Sequence, residues 1–374
     1  MSYRRPAWVE VDASAITHNV RTLKALTPQT ARFMAVVKAD GYGHGAVAVA
    51  RAALAGGADR LGVATVEEAV ELREAGIRVP VLVLAEPPAD SADILVREGI
   101  TVTVTSREMA AALSHAASAA GGQAVCHLKV DTGMHRIGVR AEEAGDFAQW
   151  LKALPGVLVE GVFTHFATAD VPGDWEFDRQ VTRFRNAVEE IRGAGLRPAI
   201  VHAANSAATM LHPQTHLDMV RCGIAIYGLE AAPSTRGVVQ LRPAMSVRAR
   251  VSFVKRIGLG DGVSYGLTWH ASGPTTIATL PIGYADGVHR MLSNSMEVLI
   301  AGRRCQQVGR ICMDQLMVEV PGNLDVRPGD QAVLVGTQGG ESILMRELAE
   351  RAGTIDYELA CGFALRMERR TPSW

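Results

Sequence analysis

The sequence has no excess of either charge: 38 lysines and arginines stand against 39 aspartates and glutamates, for a formal net charge of -1. That balance gives no support to nucleic-acid or membrane-surface binding, both of which need a basic excess. Cysteines are scarce and scattered. Cys126, Cys222, Cys305, Cys312 and Cys361 are odd in number and form no CxxC, which argues against a disulfide framework or a zinc site and for a reduced, cytoplasmic setting. No apolar run approaches the roughly 20 residues that span a bilayer. The N-terminal MSYRRPAWVEVD has two arginines but no apolar stretch behind them, so no signal peptide is expected. Repeats and low-complexity segments are absent, and no GxGxxG follows the first apolar run, which counts against a dinucleotide-binding sheet.

What is present is length and rhythm. A chain of 374 residues exceeds one average core, so two domains are the natural expectation. From about residue 32 to 223, eight short apolar runs read as strands: 33–38, 61–65, 81–86, 101–105, 126–131, 158–166, 199–205 and 217–223. Alanine- and glutamate-rich helical stretches lie between them, several closed by glycine as a helix C-terminus favours. Strands alternating with helices predict a parallel sheet, and eight of them a closed (β/α)8 barrel, with an open doubly wound sheet as the alternative. After about residue 240 helical runs nearly vanish until 345–353, and alternating apolar segments bounded by turns predict a β-rich domain. WVEVD (8–12) is a candidate extra strand for it. The expected division is a barrel over 11–240 and a predominantly β domain from 1–10 and 241–374.

In such barrels, polar side chains at the C-terminal strand ends carry the chemistry. Here those ends hold Lys38, Lys129 with Asp131, His165, His202 with Asn205 and Ser206, and Arg221. One strand-end lysine or histidine is ordinarily just a paired polar group; five strand ends converging on one mouth are harder to dismiss. Ser206 and the backbone of Arg221–Ile224 suit a phosphate, since barrels build such sites after strands 7 and 8. A lysine on the first strand, facing an apolar mouth, suits a Schiff-base nucleophile. Lysine plus phosphate anchor points either to pyridoxal phosphate or to an aldolase acting on a sugar phosphate, and spacing alone does not separate the two.

The motifs do more. AVVKADGYGHG (35–45), KVDTGMHRIG (129–138), HAANS (202–206), RCGIAIYG (221–228), DGVSYG (261–266), IGYADG (282–287), GRICMDQ (309–315) and IDYE (355–358) occur in order across both expected domains. In these the chain resembles the bacterial alanine racemases, pyridoxal-phosphate enzymes of barrel plus C-terminal β-domain, over nearly its whole length. The resemblance implies that Lys38 forms the internal aldimine with pyridoxal 5'-phosphate. It implies that Tyr42, Ser206, Gly223, Ile224 and Tyr357 hold the phosphate, that Arg221 faces the pyridine nitrogen, and that His165 joins the network between Arg221 and the catalytic tyrosine. Arg136 and the backbone of Met313 would bind the substrate carboxylate. Lys129, a lysine that many members carry as a carbamate, would orient Arg136, and Tyr284 would line the substrate entrance. Catalysis would fall to Lys38, acting on D-alanine, and Tyr265, acting on L-alanine in the partner subunit's site, on the external aldimine of the substrate. A homodimer with shared sites, a role in supplying D-alanine for cell-wall peptidoglycan, and no metal follow from the same likeness.

Two physical arguments stand beside it. Arginine holds its proton, so Arg221 cannot act as the aspartate of a strong electron sink does, and side reactions such as transamination are discouraged. Inversion at one carbon needs two acid–base groups on opposite faces. Plainer readings of the same residues remain open at this level: packing for Tyr42, Tyr357 and Cys312, a Lys129–Asp131 salt bridge, a turn or subunit contact for Asp314, a loop role for His44 and a structural pair for Glu86. So do other functions of the fold. A serine or broad-specificity racemase depends on pocket walls; an amino-acid decarboxylase is disfavoured by Arg221 and VSYG (263–266), and a non-catalytic pyridoxal-phosphate-binding protein by residues 245–374.

Overall fold

A computed structural model describes residues 5–363 and 366–371. The chain forms two compact units, one of Ser14–Gly41 with Ala46–Arg242, the other of the segment through Ala13, Tyr42–Gly45 and the chain from Pro243 onward.

In the first unit, strands β2 (Arg32–Val36), β3 (Arg60–Val63), β4 (Val81–Val83), β5 (Thr101–Val104), β6 (Ala124–Asp131), β8 (Val157–Phe163), β9 (Ile200–His202) and β10 (Met219–Cys222) pair in parallel. Around the ring the order is β2-β3-β4-β5-β6-β8-β9-β10 and back to β2. The β10–β2 and β5–β6 pairings close the sheet and rule out the open doubly wound alternative. β7 (Val139–Arg140) only extends the end of β6. Helices form where the sequence supplies both cap and apolar stripe. Thr65 and Glu68 make a reciprocal capping box for the helix Val66–Glu74. The helix Trp175–Gly193 buries Phe177, Phe184, Val188 and Ile191 on one face.

Apart from β6, which spans its whole run, the strands end before the apolar runs that announce them. The strands end at Val36, Phe163 and His202, leaving Lys38 and His165 in the turns just beyond and Ser206 at the start of the helix Ser206–Leu211.

In the second unit β1 (Ala7–Val11) pairs antiparallel with β11 (Met245–Arg250) and parallel with β19 (Glu368–Arg370), so the N-terminal segment does complete this sheet. The 245–257 run is two strands, β11 and β12 (Phe253–Ile257), broken between them. β12 joins β13 (Thr275–Leu280) and β16 (Leu316–Val320) in a separate three-stranded sheet. β14 (Glu297–Ile300), β15 (Arg303–Gln306), β17 (Gln331–Gln338) and β18 (Glu341–Ile343) complete the larger one. The helix Asp356–Gly362, which carries the IDYE motif, has no apolar periodicity long enough to be read from sequence.

Candidate functional site

The segment after β2 does something its glycines only hint at. Ala39, Asp40, Gly41, Tyr42 and Gly43 have φ of 53°, 51°, 59°, 52° and 77°, so the turn Lys38–Gly43 is left-handed. Three of those five residues are not glycine, and each such residue costs roughly 1–2 kcal/mol. The surroundings hold it in place: the Ala39 N–H donates to Glu68 Oε1 (2.7 Å) and Asp40 Oδ1 accepts from the Ala46 N–H (2.9 Å). The glycines therefore serve the backbone as well as leaving space, and the strained turn fixes where Lys38 leaves the strand.

Four cations meet at the barrel mouth. Burial, reinforced by Arg221, Arg136, Lys129 and Lys38, holds the His165 imidazole well below the ordinary histidine range, so it is neutral. Burial also lowers Lys129 to about 7, helped by Arg136, Arg221 and Lys38 and opposed by Asp131. Among the described residues no ion pair joins Lys129 to Asp131: Asp131 Oδ1 instead accepts the N–H groups of Gly133 and His135, both at 3.0 Å. The Phe163 ring packs beneath, with Lys129 Nζ and the Arg221 guanidinium 5.5 Å and 5.3 Å from its centroid.

Arg221 is buried, yet among the described residues its guanidinium touches no carboxylate. Nη2 donates to the carbonyls of Thr164 (2.8 Å) and Ala203 (3.0 Å) and lies 3.3 Å from His165 Nδ1; Nη1 donates to His202 Nδ1 at 3.0 Å. Nearby, Ser206 Oγ accepts the Gly223 N–H at 3.0 Å, keeping its own proton to donate, and Gly223 and Ile224 open a buried turn. Asn205 caps the helix Ser206–Leu211 through the Ala208 N–H (2.9 Å), a structural role.

These residues fit pyridoxal phosphate. A concentration of positive charge, with Asp131 the carboxylate acting on Lys129, suits a ligand bearing phosphate and carboxylate groups. A guanidinium bonded only to neutral acceptors suits a ring nitrogen that accepts a hydrogen bond.

The remaining candidates belong to the second unit. Tyr42 is buried and Tyr357 half-buried, with ring centroids 6.2 Å apart. Tyr265 is 72 % exposed, Met313 53 % and Tyr284 41 %. Three motifs interlock to place them. The N–H groups of Tyr284 and Ala285 donate to the carbonyls of Cys312 and Met313, both at 3.0 Å. Gly283 is obligatory there, because a Cβ would stand 2.2 Å from the Cys312 oxygen. Ser264, one residue before Tyr265, has φ 64° and ψ -174°, a region almost confined to glycine, and costs about 1–3 kcal/mol. Its hydroxyl donates to the Arg310 carbonyl (2.6 Å) and meets Cys312 Sγ at 3.4 Å, which ties the tyrosine loop to GRICMDQ. Cys312 is thus a packing residue. Asp314 pairs with Arg366 (2.8 Å), and His44 Nδ1 meets the Tyr42 carbonyl (2.8 Å). Among the described residues Glu86 has no charged partner; it accepts the backbone N–H groups of Thr105 and Ser106.

Two family models match the chain, the alanine racemase N-terminal domain over residues 11–231 and the C-terminal domain over 244–371. The alanine racemase of Symbiobacterium thermophilum is 51% identical over 365 residues, 98% of this chain and 97% of that protein. That of Desulfovibrio desulfuricans is 46% identical over 99% of both. Among solved structures, alanine racemase from D-cycloserine-producing Streptomyces lavendulae has a TM-score of 0.94 at 37% identity, covering 100% of this chain and 98% of that one. The Bacillus anthracis alanine racemase with bound L-Ala-P scores 0.93 at 38% identity, covering 100% and 96%.

Proposed function

Because this chain belongs to the alanine racemase family, pyridoxal-phosphate-dependent isomerases, we propose that it interconverts L- and D-alanine by a two-base mechanism. The observation that carries the reading is the pairing of Lys38 at a mouth rich in positive charge with a buried arginine, not an aspartate, bonded to neutral acceptors. Bound pyridoxal phosphate supplies the conjugated ring over which the electrons of the alanine Cα–H bond delocalise. Ser206, the N–H groups of Gly223 and Ile224, and the hydroxyls of Tyr42 and Tyr357 hold its phosphate. Arg221 donates a hydrogen bond to the ring nitrogen and, keeping its proton, limits the ring's pull on electrons. Arg136 and the Met313 N–H hold the alanine carboxylate; Tyr284 narrows the approach. Lys38 takes or returns the α-proton on one face, Tyr265 on the other. His165, held neutral, accepts from Arg221 and steadies the phenol side of the site.

Tyr265, Met313 and Tyr284 are exposed on their own unit, which supports a homodimer in which each subunit completes its partner's site. Among the described residues no helix is long and apolar enough to cross a membrane. A cytoplasmic supply of D-alanine for peptidoglycan is the role this reading assigns.

The test is purified protein assayed with each enantiomer in deuterated water. Racemisation with deuterium at Cα and an absorbance band of lysine-bound pyridoxal phosphate is expected; racemisation without α-deuterium excludes the two-base reading. Activity that persists on dilution to a verified monomer excludes the shared site.

Lys129 extends the reading. An amine titrating at about 7 is largely neutral in mildly alkaline solution, and the neutral amine adds carbon dioxide, forming an N–C bond and releasing a proton to leave a carbamate. The resulting anion neutralises the excess positive charge beside Arg136. Since protonation of the amine blocks the addition, a carbamate carbon signal from labelled bicarbonate is expected above about pH 7 and lost below it, and absent from Lys129→Ala. Failure to see that signal at about pH 8.5 sinks the assignment.

A further inference from the structure

Inside the barrel, where branched apolar side chains normally fill the layers, an unbroken polar chain runs from β3 to β10. Arg60 grips Glu160 with both terminal nitrogens at 2.7 Å. Glu160 Oε2 lies 3.0 Å from His127 Nε2, His127 Nδ1 lies 2.8 Å from His202 Nε2, and His202 Nδ1 receives Arg221 Nη1 at 3.0 Å. β3 and β8 stand on opposite sides of the ring, so the Arg60–Glu160 pair crosses the interior.

The backbone is built to accommodate it. The β6–β8 pairing jumps from Cys126↔Val159 to His127↔Gly161, leaving Glu160 as the extra residue of a bulge, and bulges re-aim side chains. A Cβ on Gly161 would stand 2.6 Å from the His127 ring, so only glycine leaves its slot open. Phe163 stacks on His202 at 4.7 Å and 8°.

The two ends decide the protons between them. Arginine only donates, so His202 Nδ1 is bare and its proton sits on Nε2. That N–H donates to His127 Nδ1, which must also be bare, so His127 carries its proton on Nε2 and donates it to Glu160. A carboxylate only accepts. The charged groups facing the pair of rings are Arg221, Arg60 and Glu160; burial, helped by the two arginines and opposed at His127 by Glu160, keeps both rings neutral. Burial works to raise the Glu160 carboxyl, but hydrogen bonds from His127 and Arg60 outweigh it and hold it ionised.

We propose that Glu160, anchored by Arg60, is a positioning residue for Arg221: acting through His127 and His202, it locks both imidazoles as Nε2–H tautomers, so that a bare His202 Nδ1 always faces Arg221 and holds its guanidinium in one orientation. This rests on the racemase reading only for its effect on turnover. The tautomers follow from the chain's own contacts.

Histidine-labelled (15N) protein, with and without pyridoxal phosphate, tests it. Both buried rings should show a bare Nδ1 and a protonated Nε2 from about pH 6 to about pH 9. Glu160→Gln, and Gly161→Ala, which displaces the His127 ring without removing a polar group, should each release His202 from the single tautomer. Each should lower kcat about tenfold with little change in the alanine KM, the size expected for losing a hydrogen bond to a charged group. His127→Asn, whose Oδ1 replaces the bare Nδ1, should retain the His202 tautomer and most of the activity. A His202 protonated on Nδ1 in the unmodified protein overturns the proposal, as does a fall in kcat with the His202 tautomer intact, the mark of a merely structural role. If the unmodified protein shows the tautomers but racemises no alanine, the racemase reading fails and the relay stands.

Discussion

Lys38→Ala should fold, keep its thermal transition near that of the unmodified protein, and lose both the visible band of lysine-bound pyridoxal phosphate and all measurable racemisation. The loss has two independent sources. On the proposed reading the amine is the covalent anchor of the cofactor and also one of the two groups that exchange the α-proton; general acid–base roles alone are worth about 10²–10⁴-fold. Lys38→Arg separates charge from chemistry. It preserves a cation at the end of β2, where the left-handed turn Ala39–Gly43 aims it, but a guanidinium neither forms the covalent link nor gives up a proton near neutral pH. It should therefore be as inactive as Lys38→Ala. Fold retention is expected because Glu68 and Asp40 hold the turn through backbone N–H groups. Circular dichroism, visible absorbance and activity in both directions check these outcomes; an intact band in Lys38→Ala removes the assignment.

How much of this could be read beforehand divides along a physical line. Elements defined by one-dimensional periodicity were legible: eight apolar runs became eight barrel strands, and MRELAERAG became the helix Met345–Ala352 with Gly353 at φ 67° behind it. Several strand ends overran by two or three residues, because an apolar run continues past the strand whenever the segment that follows is also buried, as Val37 is. Side chains announced by a motif could be placed as candidates. What the pattern hides is interior polarity. His127 sits mid-strand in CHLKVD and Glu160 mid-strand in LVEGVF, positions that alternate like any others. Only the bulge at Glu160 and the missing Cβ at Gly161 reveal that they were turned toward each other. Arg60 opens a strand and reads as a solvated charge until the ring closes and puts β8 across from it. The conformation of Ser264 is equally silent: nothing in VSYG says that the serine occupies a glycine's backbone region. Long-range register and backbone strain are properties of the closed fold, and no window along the chain contains them.

Tyr265→Phe should keep the absorbance band and lower racemisation by roughly 10²–10⁴-fold, and its loss should be lopsided in one respect only. The enantiomers have equal free energy in water, so kcat/KM for the two directions must stay equal in any variant, and no comparison of racemisation rates can show which face was disabled. Isotope exchange can. With Lys38 intact, D-alanine in deuterated water should still trade its α-proton for deuterium without inverting, whereas L-alanine should neither exchange nor invert, because the face that Tyr265 serves has no group to take the proton. The exposed, tethered position of Tyr265 favours a clean result: the phenyl ring of the variant leaves the Ser264–Arg310 bond and the Cys312 contact untouched, so the loop geometry survives the loss of the hydroxyl. Proton NMR of the α-position over time measures both exchanges. L-alanine exchanging at the unmodified rate rules Tyr265 out as a base, and D-alanine exchange lost in parallel shows that the substitution damaged the site as a whole and not one face of it.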